Sequence, residues 1–433
     1  MLKRIYWNRT SESERERLFT RPSVSSDAME VARGVLDDVR KRGEAAVRDY
    51  ARRFDQWAPE TGFRVSTDAL DAAAAALAEE DRRAILDAAD AVRRFHAAQG
   101  YRDVDVETWP GARAQRRATP IDVAGLYVPA GTAPLVSTLI MLAVPAQIAG
   151  VPRIAVIAPP RKGEGVEPTV LAAAGLLGLD EVYAIGGAHG IAALGYGAAG
   201  LPRADKIFGP GNAYVAAAKA LLAQSGGAAT DLPAGPSEVM VVADDAADPE
   251  LVAIDLLSQA EHDTLAQVVL VAFSDAFADR VEAETERLLA ELPRAGTARA
   301  ALSNSRAVIV EDEIEAVEAC DAYASEHLIV QTAAPRAFAG KVRHAGSIFL
   351  GPWTPEAAGD YAAGPNHALP TAGAARAYGG VTVEMFQKTT TILELSEAGA
   401  RNIAGTVERL AALEGLDAHR LAMALRRRKA ERS

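Results

Sequence analysis

The chain has 433 residues, of which 49% are hydrophobic and 24% are charged, and its formal net charge is −12. A chain of this length can bury the cores of about two or three domains. The negative charge argues against a nucleic-acid-binding protein, because phosphate recognition needs a basic surface. The one basic run, residues 426–429, is more typical of a solvated helix terminus.

The single cysteine, Cys320, excludes an intrachain disulfide and favours a reducing compartment. We expect it to be a buried, small hydrophobic residue in a helix between residues 313 and 323. The first twenty residues are rich in Arg, Glu and Ser and do not resemble a secretory signal. The longest apolar stretch, residues 135–151, is interrupted by a proline and a glutamine, which predicts a buried core element rather than a membrane span. The expected location is therefore the cytoplasm.

The first part of the chain predicts packing elements. Residues 1–25 are polar and predict a short arm. Asp27, followed three residues later by Glu30, marks the start of a helix that ends near Gly43, and a second helix follows to Phe54. The Ala-rich stretch 68–98 predicts a long helix, on which His96 is interpreted as an ordinary surface or boundary residue.

From Ile121 onwards, apolar β-type runs alternate with Ala-rich helical segments. This alternation predicts parallel sheets covered by helices on both faces. Ligands on such sheets bind beyond the carboxyl ends of the strands, so we expect a site in the loops that follow the strands. The predicted strands are residues 123–128, 154–158, 182–185, 206–208, 239–243, 268–273, 308–310, 328–330 and 348–350.

Three loops after predicted strands contain small residues that let a ligand approach the backbone. They are residues 127–134, residues 186–190, and residues 209–214, the last of which leads into a predicted helix at 215–222. A helix N-terminus can bind a pyrophosphate through its free N–H groups. None of the loops has the G-x-G-x-x-G pattern, so each alone indicates a dinucleotide site no better than it indicates a tight turn.

The segment LLSQAEHD at residues 256–263 predicts the end of a helix that begins near Pro249. Gln259 and His262 are three residues apart and would share a helix face. By itself this pair favours the plainer interpretation, an amphipathic helix with a His near its C-terminus. Asp360, in a Gly- and Pro-rich loop, and His419 would complete a set of two imidazoles, a carboxylate and an amide oxygen. Such a set suits Zn²⁺ better than Ca²⁺ or Mg²⁺.

Glu326 and His327 stand at a turn just before a predicted strand. A histidine can exchange a proton with an alcohol and a carboxylate can activate water, so the pair suits general acid–base chemistry; the alternative is an exposed polar turn. Two functions stay open on these residues. One is a zinc hydrolase with Glu326 as its base, and the other is a zinc- and dinucleotide-dependent dehydrogenase.

The order of the motifs resembles that of the histidinol dehydrogenase family, from about residue 25 to about residue 425. The resemblance rests on eight motifs: GLYVPAGTAPLVST, GGAHGIAAL, DKIFGPGNAYVAAAK, PAGPSEV, LLSQAEHD, SEHLIV, AGDYAAGPNHALPT and EGLDAH. It implies oxidation of L-histidinol through the aldehyde to L-histidine, the last two steps of histidine biosynthesis, with two NAD and one bound zinc per subunit. A related enzyme acting on another small alcohol is the alternative.

The resemblance also implies roles for individual residues. Proton transfer falls to Glu326 and His327, and the NAD contacts to Tyr127, His189 of the Gly-Gly-Ala turn and Asn212. It further implies an intertwined homodimer in which Glu414 and His419 reach the site of the partner subunit. The zinc ligands are Gln259, His262, Asp360 and His419. The substrate contacts are Ser237, Gln259, His262, His327, Asp360, His367, Glu414 and His419.

The implied fold is α/β, with two incomplete Rossmann-like domains whose parallel sheets are flanked by helices, plus small N- and C-terminal helical segments. The first Rossmann-like domain carries the zinc and acid–base residues and the second contacts NAD. The predicted division is residues 1–25 as an arm, 26–126 with 237–380 as the first domain, 127–236 as the second, and 381–433 as a C-terminal helical domain that reaches the partner.

Two features depart from the family pattern. His189 stands where the family usually has Gln, which leads to the hypothesis that NAD affinity varies with pH. The small residues 372–374 stand where many relatives have a bulkier side chain, which we interpret as a packing difference.

Overall fold

The structure is a computed structural model that describes residues 2–11, 13–15, 19–21, 26–129, 135–161, 163–233 and 235–432. Most of the first predicted small-residue loop, at residues 130–134, therefore lies outside the described residues.

The strands follow one another along the chain as β1 (Lys3–Tyr6), β2 (Val104–Trp109), β3 (Ala112–Pro120), β4 (Val123–Tyr127), β5 (Arg153–Ala158), β6 (Val182–Ala184), β7 (Lys206–Phe208), β8 (Ala229–Thr230), β9 (Glu238–Ala243), β10 (Gln267–Ala272), β11 (Arg306–Ile309), β12 (His327–Gln331), β13 (Ser347–Leu350) and β14 (Gln387–Leu395).

The helices are α1 (Ser26–Arg42), α2 (Glu44–Tyr50), α3 (Thr67–Ala76), α4 (Glu79–His96), α5 (Val136–Ile148), α6 (Pro168–Leu176), α7 (Gly187–Tyr196), α8 (Ala213–Gln224), α9 (Pro249–Ala260), α10 (Asp275–Leu289), α11 (Ala295–Ser303), α12 (Glu313–Tyr323), α13 (Pro335–Ala339), α14 (Glu356–Tyr361), α15 (Glu397–Leu413) and α16 (Asp417–Ala430). A π-helical turn, Ala51–Asp55, continues α2, and short 3₁₀ turns form at Trp7–Arg9, Ala374–Arg376 and Val383–Phe386.

A six-stranded parallel sheet has the order β1-β11-β10-β9-β12-β13. Its central strands β9 (EVMVVA) and β10 (QVVLVA) are buried along their whole length. Continuous apolar strands of this kind form where helices cover both faces of a parallel sheet. Residues of α9, α10 and α11 build the core on one face, and residues of α12 and α13 build it on the other.

A five-stranded parallel sheet has the order β6-β5-β4-β7-β8. Helix α5 is buried from Thr138 to Ala146 beside it, which confirms the prediction of a core element at residues 135–151. Helices α1 to α4 also pack into the cores of this sheet. The predicted domain boundaries remain a proposal, and this packing favours grouping residues 26–96 with the five-stranded sheet rather than with the six-stranded one.

A third, antiparallel sheet of order β14-β3-β2 was not predicted. Strand β14 pairs with β3 from Gln387 opposite Pro120 to Leu395 opposite Ala112, so the first part of the predicted helical segment 381–433 is a strand. The strand is largely exposed, so its sequence does not have the unbroken apolar run that is typical of the central strands. Helices α15 and α16 follow it and pack on each other around Ala404 and Met423.

Two smaller predictions can be compared directly. Cys320 is buried on α12, as expected, and burial raises the pKa of its thiol. His96 is not at the surface: it is fully buried, and its Nδ1 donates to the Val92 carbonyl oxygen at 2.9 Å. Within the described residues, no helix combines the length and apolar character needed to cross a bilayer.

Candidate active site

The predicted acid–base pair lies at the amino ends of the six-stranded sheet. Glu326 immediately precedes β12, His327 is its first residue, and Glu238 is the first residue of β9. The prediction that Glu326 and His327 stand just before a strand is confirmed, whereas the general expectation of a site in the loops that follow the strands does not hold for this cluster. Helix α9 runs back across the sheet between β9 and β10, so its C-terminal end, with Gln259, reaches the amino ends of the strands.

His327 is buried among three carboxylates. Its Nδ1 donates to the Glu238 carbonyl oxygen at 3.1 Å, and this bond leaves Nε2 as the other ring nitrogen. Nε2 is buried without a hydrogen bond and lies 3.6 Å from Asp360 Oδ1. Burial lowers the pKa of the imidazole, but the carboxylates of Glu356, Glu326 and Asp360 outweigh burial and hold that pKa well above its usual value.

For Glu326, in contrast, burial outweighs the effect of the neighbouring charges on the pKa. Its side chain is buried, and its Oε2 accepts a hydrogen bond from the Glu238 N–H at 2.8 Å. Burial raises the pKa of this carboxyl group to about 8, although His327 acts against the shift. The group can therefore give up or take a proton close to neutral pH.

Gln259 and His262 are close to each other, but they do not share a helix. Helix α9 ends at Ala260, so the prediction that both lie on it was wrong. His262 is in the turn that follows, and its N–H donates to the Gln259 carbonyl oxygen at 3.2 Å. The side-chain nitrogen and oxygen of Gln259 are both buried without a hydrogen-bond partner. A buried amide without hydrogen-bond partners destabilises the fold. The side chain of Gln259 therefore indicates a position where a ligand binds.

Asp360 lies on the short helix α14 rather than in an irregular loop, so that prediction was also wrong. Ligand atoms of His262, Glu356 and Asp360 all lie within 4.8 Å of one another. Burial raises the pKa of Glu356 to about 7, whereas His327 lowers the pKa of Asp360 in spite of burial. An imidazole, two carboxylates and the unpartnered amide of Gln259 form a donor set that fits zinc.

Glu356 was missed by the sequence analysis. It stands four residues before Asp360, and residues four apart meet on one face of a helix. The flanking Gly and Pro residues predicted a loop, however, and so concealed that spacing.

His367 connects this cluster to the five-stranded sheet. Its Nδ1 donates to the Asp360 carbonyl oxygen at 3.0 Å, and its Nε2 is 3.4 Å from Thr138 Oγ1 on α5. The neighbouring Asn366 donates to the Met141 carbonyl oxygen at 2.6 Å, also on α5. These contacts bring the carboxyl ends of the five-stranded sheet to the amino ends of the six-stranded sheet.

The other predicted substrate residues are more exposed. Ser237 is half-buried just before β9, and its carbonyl oxygen accepts from the Gln267 N–H at 3.1 Å. Glu414 and His419 are exposed in the pair of C-terminal helices. Among the described residues of a single chain, His419 is not one of the side chains that lie close enough together to share a metal ion.

The residues predicted to contact NAD lie at the carboxyl ends of the five-stranded sheet. Tyr127 ends β4 and is buried, which raises the pKa of its phenol to about 12. Asn212 caps α8, where its Oδ1 accepts from the N–H groups of Tyr214 and Val215 at 3.1 Å each. Gly209 has a φ of +114°, and a Cβ there would collide with the Tyr127 carbonyl oxygen.

His189 is buried near the start of α7, and its Nε2 lies 2.9 Å from Asp55 Oδ2. The same carboxylate oxygen accepts from the Gly186 N–H at 3.4 Å. Asp55 comes from the π-helical turn 134 residues earlier in the chain, and no local pattern indicated it. The hypothesis that His189 makes NAD affinity vary with pH stays a prediction.

Taken together, the two parallel sheets and the buried acid–base pair beside metal-capable side chains define an α/β enzyme. The histidinol dehydrogenase family model matches residues 20–427. The histidinol dehydrogenase of Salmonella typhimurium is 46% identical over 98% of this chain and 97% of its own length, and that of Xanthomonas euvesicatoria pv. vesicatoria is 47% identical over 98% and 99%. The crystal structure of histidinol dehydrogenase from Elizabethkingia anophelis is 38% identical and has a TM-score of 0.94, covering 100% of this chain and 99% of that one. The chain belongs to the histidinol dehydrogenase family of oxidoreductases.

Proposed function

We propose that this protein oxidises L-histidinol to L-histidine through L-histidinal, with a bound zinc ion and two NAD per substrate, as the last two steps of histidine biosynthesis. The observation that carries the proposal is the cluster at the amino ends of β9 and β12, where a buried acid–base pair meets side chains that suit zinc. The relatives named histidinol dehydrogenase support the substrate.

The zinc would be held by Gln259, His262 and Asp360, with Glu356 as a further ligand candidate within the same chain. When bound, zinc supplies a Lewis acid that polarises the substrate oxygen and NAD supplies a hydride acceptor. Ser237 and His367 are the remaining proposed substrate contacts from this chain.

His327, in its neutral form, would take the proton of the substrate hydroxyl at Nε2. Nδ1 already donates to the Glu238 carbonyl oxygen, so Nε2 is the ring nitrogen that can accept a proton. Nε2 lies 3.6 Å from Asp360 Oδ1. The carboxylates around the ring stabilise the imidazolium that forms when the proton arrives.

Glu326 would take a proton from the water that adds to the aldehyde. A pKa of about 8 keeps this carboxylate basic enough to accept a proton. Both proton-transfer side chains are buried, so bulk water is kept from them and the aldehyde can be held until the second oxidation.

The dinucleotide would bind across the carboxyl ends of β4, β6 and β7, with Tyr127, His189 and Asn212 as contacts. The glycine-rich turn that leads into α8 would let a pyrophosphate approach the main chain beside Asn212, which caps the N–H groups of Tyr214 and Val215. This position adjoins the metal-capable cluster through His367 and Thr138.

We also propose a homodimer in which Glu414 and His419 complete the site of the partner subunit. Two observations support it: both residues are exposed in the single chain, and large apolar side chains are exposed around them. Clustered exposed apolar residues are typical of an interface. The exposed leucines of this helix pair are Leu410, Leu413, Leu416, Leu421 and Leu425.

The test is NADH formation by the zinc-loaded protein with L-histidinol, followed to completion. We expect two NADH per histidinol, histidine as the product, and loss of activity after zinc chelation that added zinc restores. NAD reduction by a different amino alcohol, with none from histidinol, would overturn the substrate. Failure of every alcohol to reduce NAD would overturn the proposed reaction.

A further inference from the structure

Glu238, the first residue of β9, is a buried glutamate to which the proposed chemistry gives no role. Its side chain is 2% exposed. Its main chain contacts both proton-transfer residues: the N–H donates to Glu326 Oε2 at 2.8 Å, and the carbonyl oxygen accepts from His327 Nδ1 at 3.1 Å. One residue of main chain therefore orients both side chains.

Strand pairing alone does not hold this residue against β12. The ladder between β9 and β12 begins with Val239 opposite His327, so Glu238 lies just beyond it. Its N–H is bound by the Glu326 side chain instead of by a neighbouring strand. Something else must fix the position of Glu238 on this side.

The Glu238 carboxylate supplies that fixation. Nη2 of Arg21, from the N-terminal segment, donates to Oε2 at 3.0 Å, and Arg21 Nε lies 2.5 Å from Oε1. Arg21 is itself held by the Tyr323 carbonyl oxygen at 2.5 Å and by the Tyr323 ring, whose centroid lies 4.0 Å from the guanidinium carbon. A guanidinium fixed in this way is a rigid partner for a carboxylate.

The turn at residues 371–372 holds the carboxylate from another direction. The Ala372 N–H donates to Glu238 Oε1 at 2.8 Å, and Ala372 has a φ of +57°. For a residue other than glycine, this left-handed backbone conformation costs free energy, and it persists where neighbouring contacts hold it. The same turn ties down the loop that carries Ser237, because Thr371 Oγ1 accepts from the Gly235 N–H at 2.5 Å.

We infer that Glu238 is a positioning residue of this active site, whose carboxylate, held by Arg21 and Ala372, fixes the main chain that orients Glu326 and His327. The inference rests on the proposed function for the identity of the reaction. It concerns placement, since the hydrogen bonds described for the Glu238 carboxylate go to Arg21 and Ala372, whereas Glu326 and His327 bond to the Glu238 main chain.

The test compares the zinc-loaded variants Glu238→Gln and Arg21→Ala with Glu181→Gln. Glu181 is a matched control, because it too lies at the amino end of a strand and pairs through its carboxylate with an arginine, Arg153, but in the five-stranded sheet. We expect kcat with histidinol to fall about 10- to 100-fold in the two test variants, as for catalytic groups displaced by about 1 Å. The KM values and zinc content should stay within about twofold, and the control should keep its kcat. Added guanidinium ion should restore part of the kcat of Arg21→Ala.

Crystal structures of the same variants separate this inference from the proposed function. Displacement of the Glu326 and His327 side chains in Arg21→Ala, with their wild-type placement kept in Glu181→Gln, supports the positioning role even if histidinol proves not to be the substrate. Wild-type placement in both test variants, together with an unchanged kcat or with a loss of thermal stability alone, overturns it.

Discussion

At the scale of single residues, the site depends on opposing influences on neighbouring groups. Burial disfavours the charged form of both Glu326 and His327, yet His327 has a raised pKa because three carboxylates surround it, while Glu326 keeps the shift that burial causes. An adjacent base and acid with separately adjusted pKa values are typical of catalytic pairs.

The pKa of Glu326 gives a prediction for the oxidation of the aldehyde. Only the carboxylate form can take a proton from water, and its pKa is raised to about 8. The rate with L-histidinal should therefore increase as the pH rises through about 8 and level off above it. Glu326→Gln should lower this rate about 10²- to 10⁴-fold and remove that limb of the profile. Stopped-flow measurement of NADH from pH 6 to 10 checks it, and an unchanged limb in the variant would assign the ionisation to another group.

Glu356 gives a second prediction, about metal binding. Its carboxylate is buried within reach of His262 and Asp360, so Glu356→Gln should weaken zinc binding about 10- to 100-fold. Glu313, an exposed glutamate paired with Lys341, provides the control variant Glu313→Gln. Competition with a zinc-binding dye gives the affinities. Equal affinity in all three proteins would show that Glu356 is not a ligand and does not orient one.

The residues that could be predicted are those whose signal is local. Glu326 and His327 are adjacent in the chain, and Gln259 and His262 are three residues apart. Asp55 and His189, or Arg21 and Glu238, meet only because the fold brings distant segments together. No spacing in the sequence records such a contact.

At the scale of elements, substitutions at two helix caps distinguish an effect on stability from an effect on ligand binding. Asn212 caps α8 in the predicted nucleotide loop, and Asp248 caps α9 at the end away from the metal cluster. Asn212→Ala and Asp248→Ala should each lower the free energy of unfolding by about 1 kcal/mol. Asn212→Asp should keep the cap but place a negative charge where a pyrophosphate would bind, and so raise the KM for NAD. Denaturant titration and steady-state kinetics check the set, and an unchanged KM in Asn212→Asp would remove Asn212 from the NAD site.

The elements that sequence analysis located correctly are those with an unbroken apolar run. Strands β9 and β10 show no alternation because both faces are covered. Strands β2 and β14 are almost entirely exposed, so their pairing with β3, rather than burial, decides their conformation. Helix α14 was missed for a different reason, since its six residues are too few to show a helical period beside the flanking glycines and prolines.

At the scale of the whole molecule, the candidate site lies between two sheets that present opposite ends to each other. The rule that ligands bind at carboxyl ends holds for the loops of the five-stranded sheet that we assign to the dinucleotide. The metal-capable cluster instead uses the amino ends of the six-stranded sheet, where the C-terminus of α9 and helix α14 converge. Sequence alone could not place it there, because the contact depends on how the two sheets face each other.

The proposed exchange of C-terminal residues between subunits predicts complementation between two inactive proteins. His419→Asn should inactivate a homodimer through its metal site, and Glu326→Gln should inactivate one through its base. In a mixed dimer, the core of the His419→Asn chain receives an intact His419 from the Glu326→Gln chain, so one of its two sites is complete. Unfolding, mixing and refolding the two proteins together should therefore restore about a quarter of the wild-type activity. If His419 served the site of its own chain, every site in the mixture would carry a defect and no activity would return.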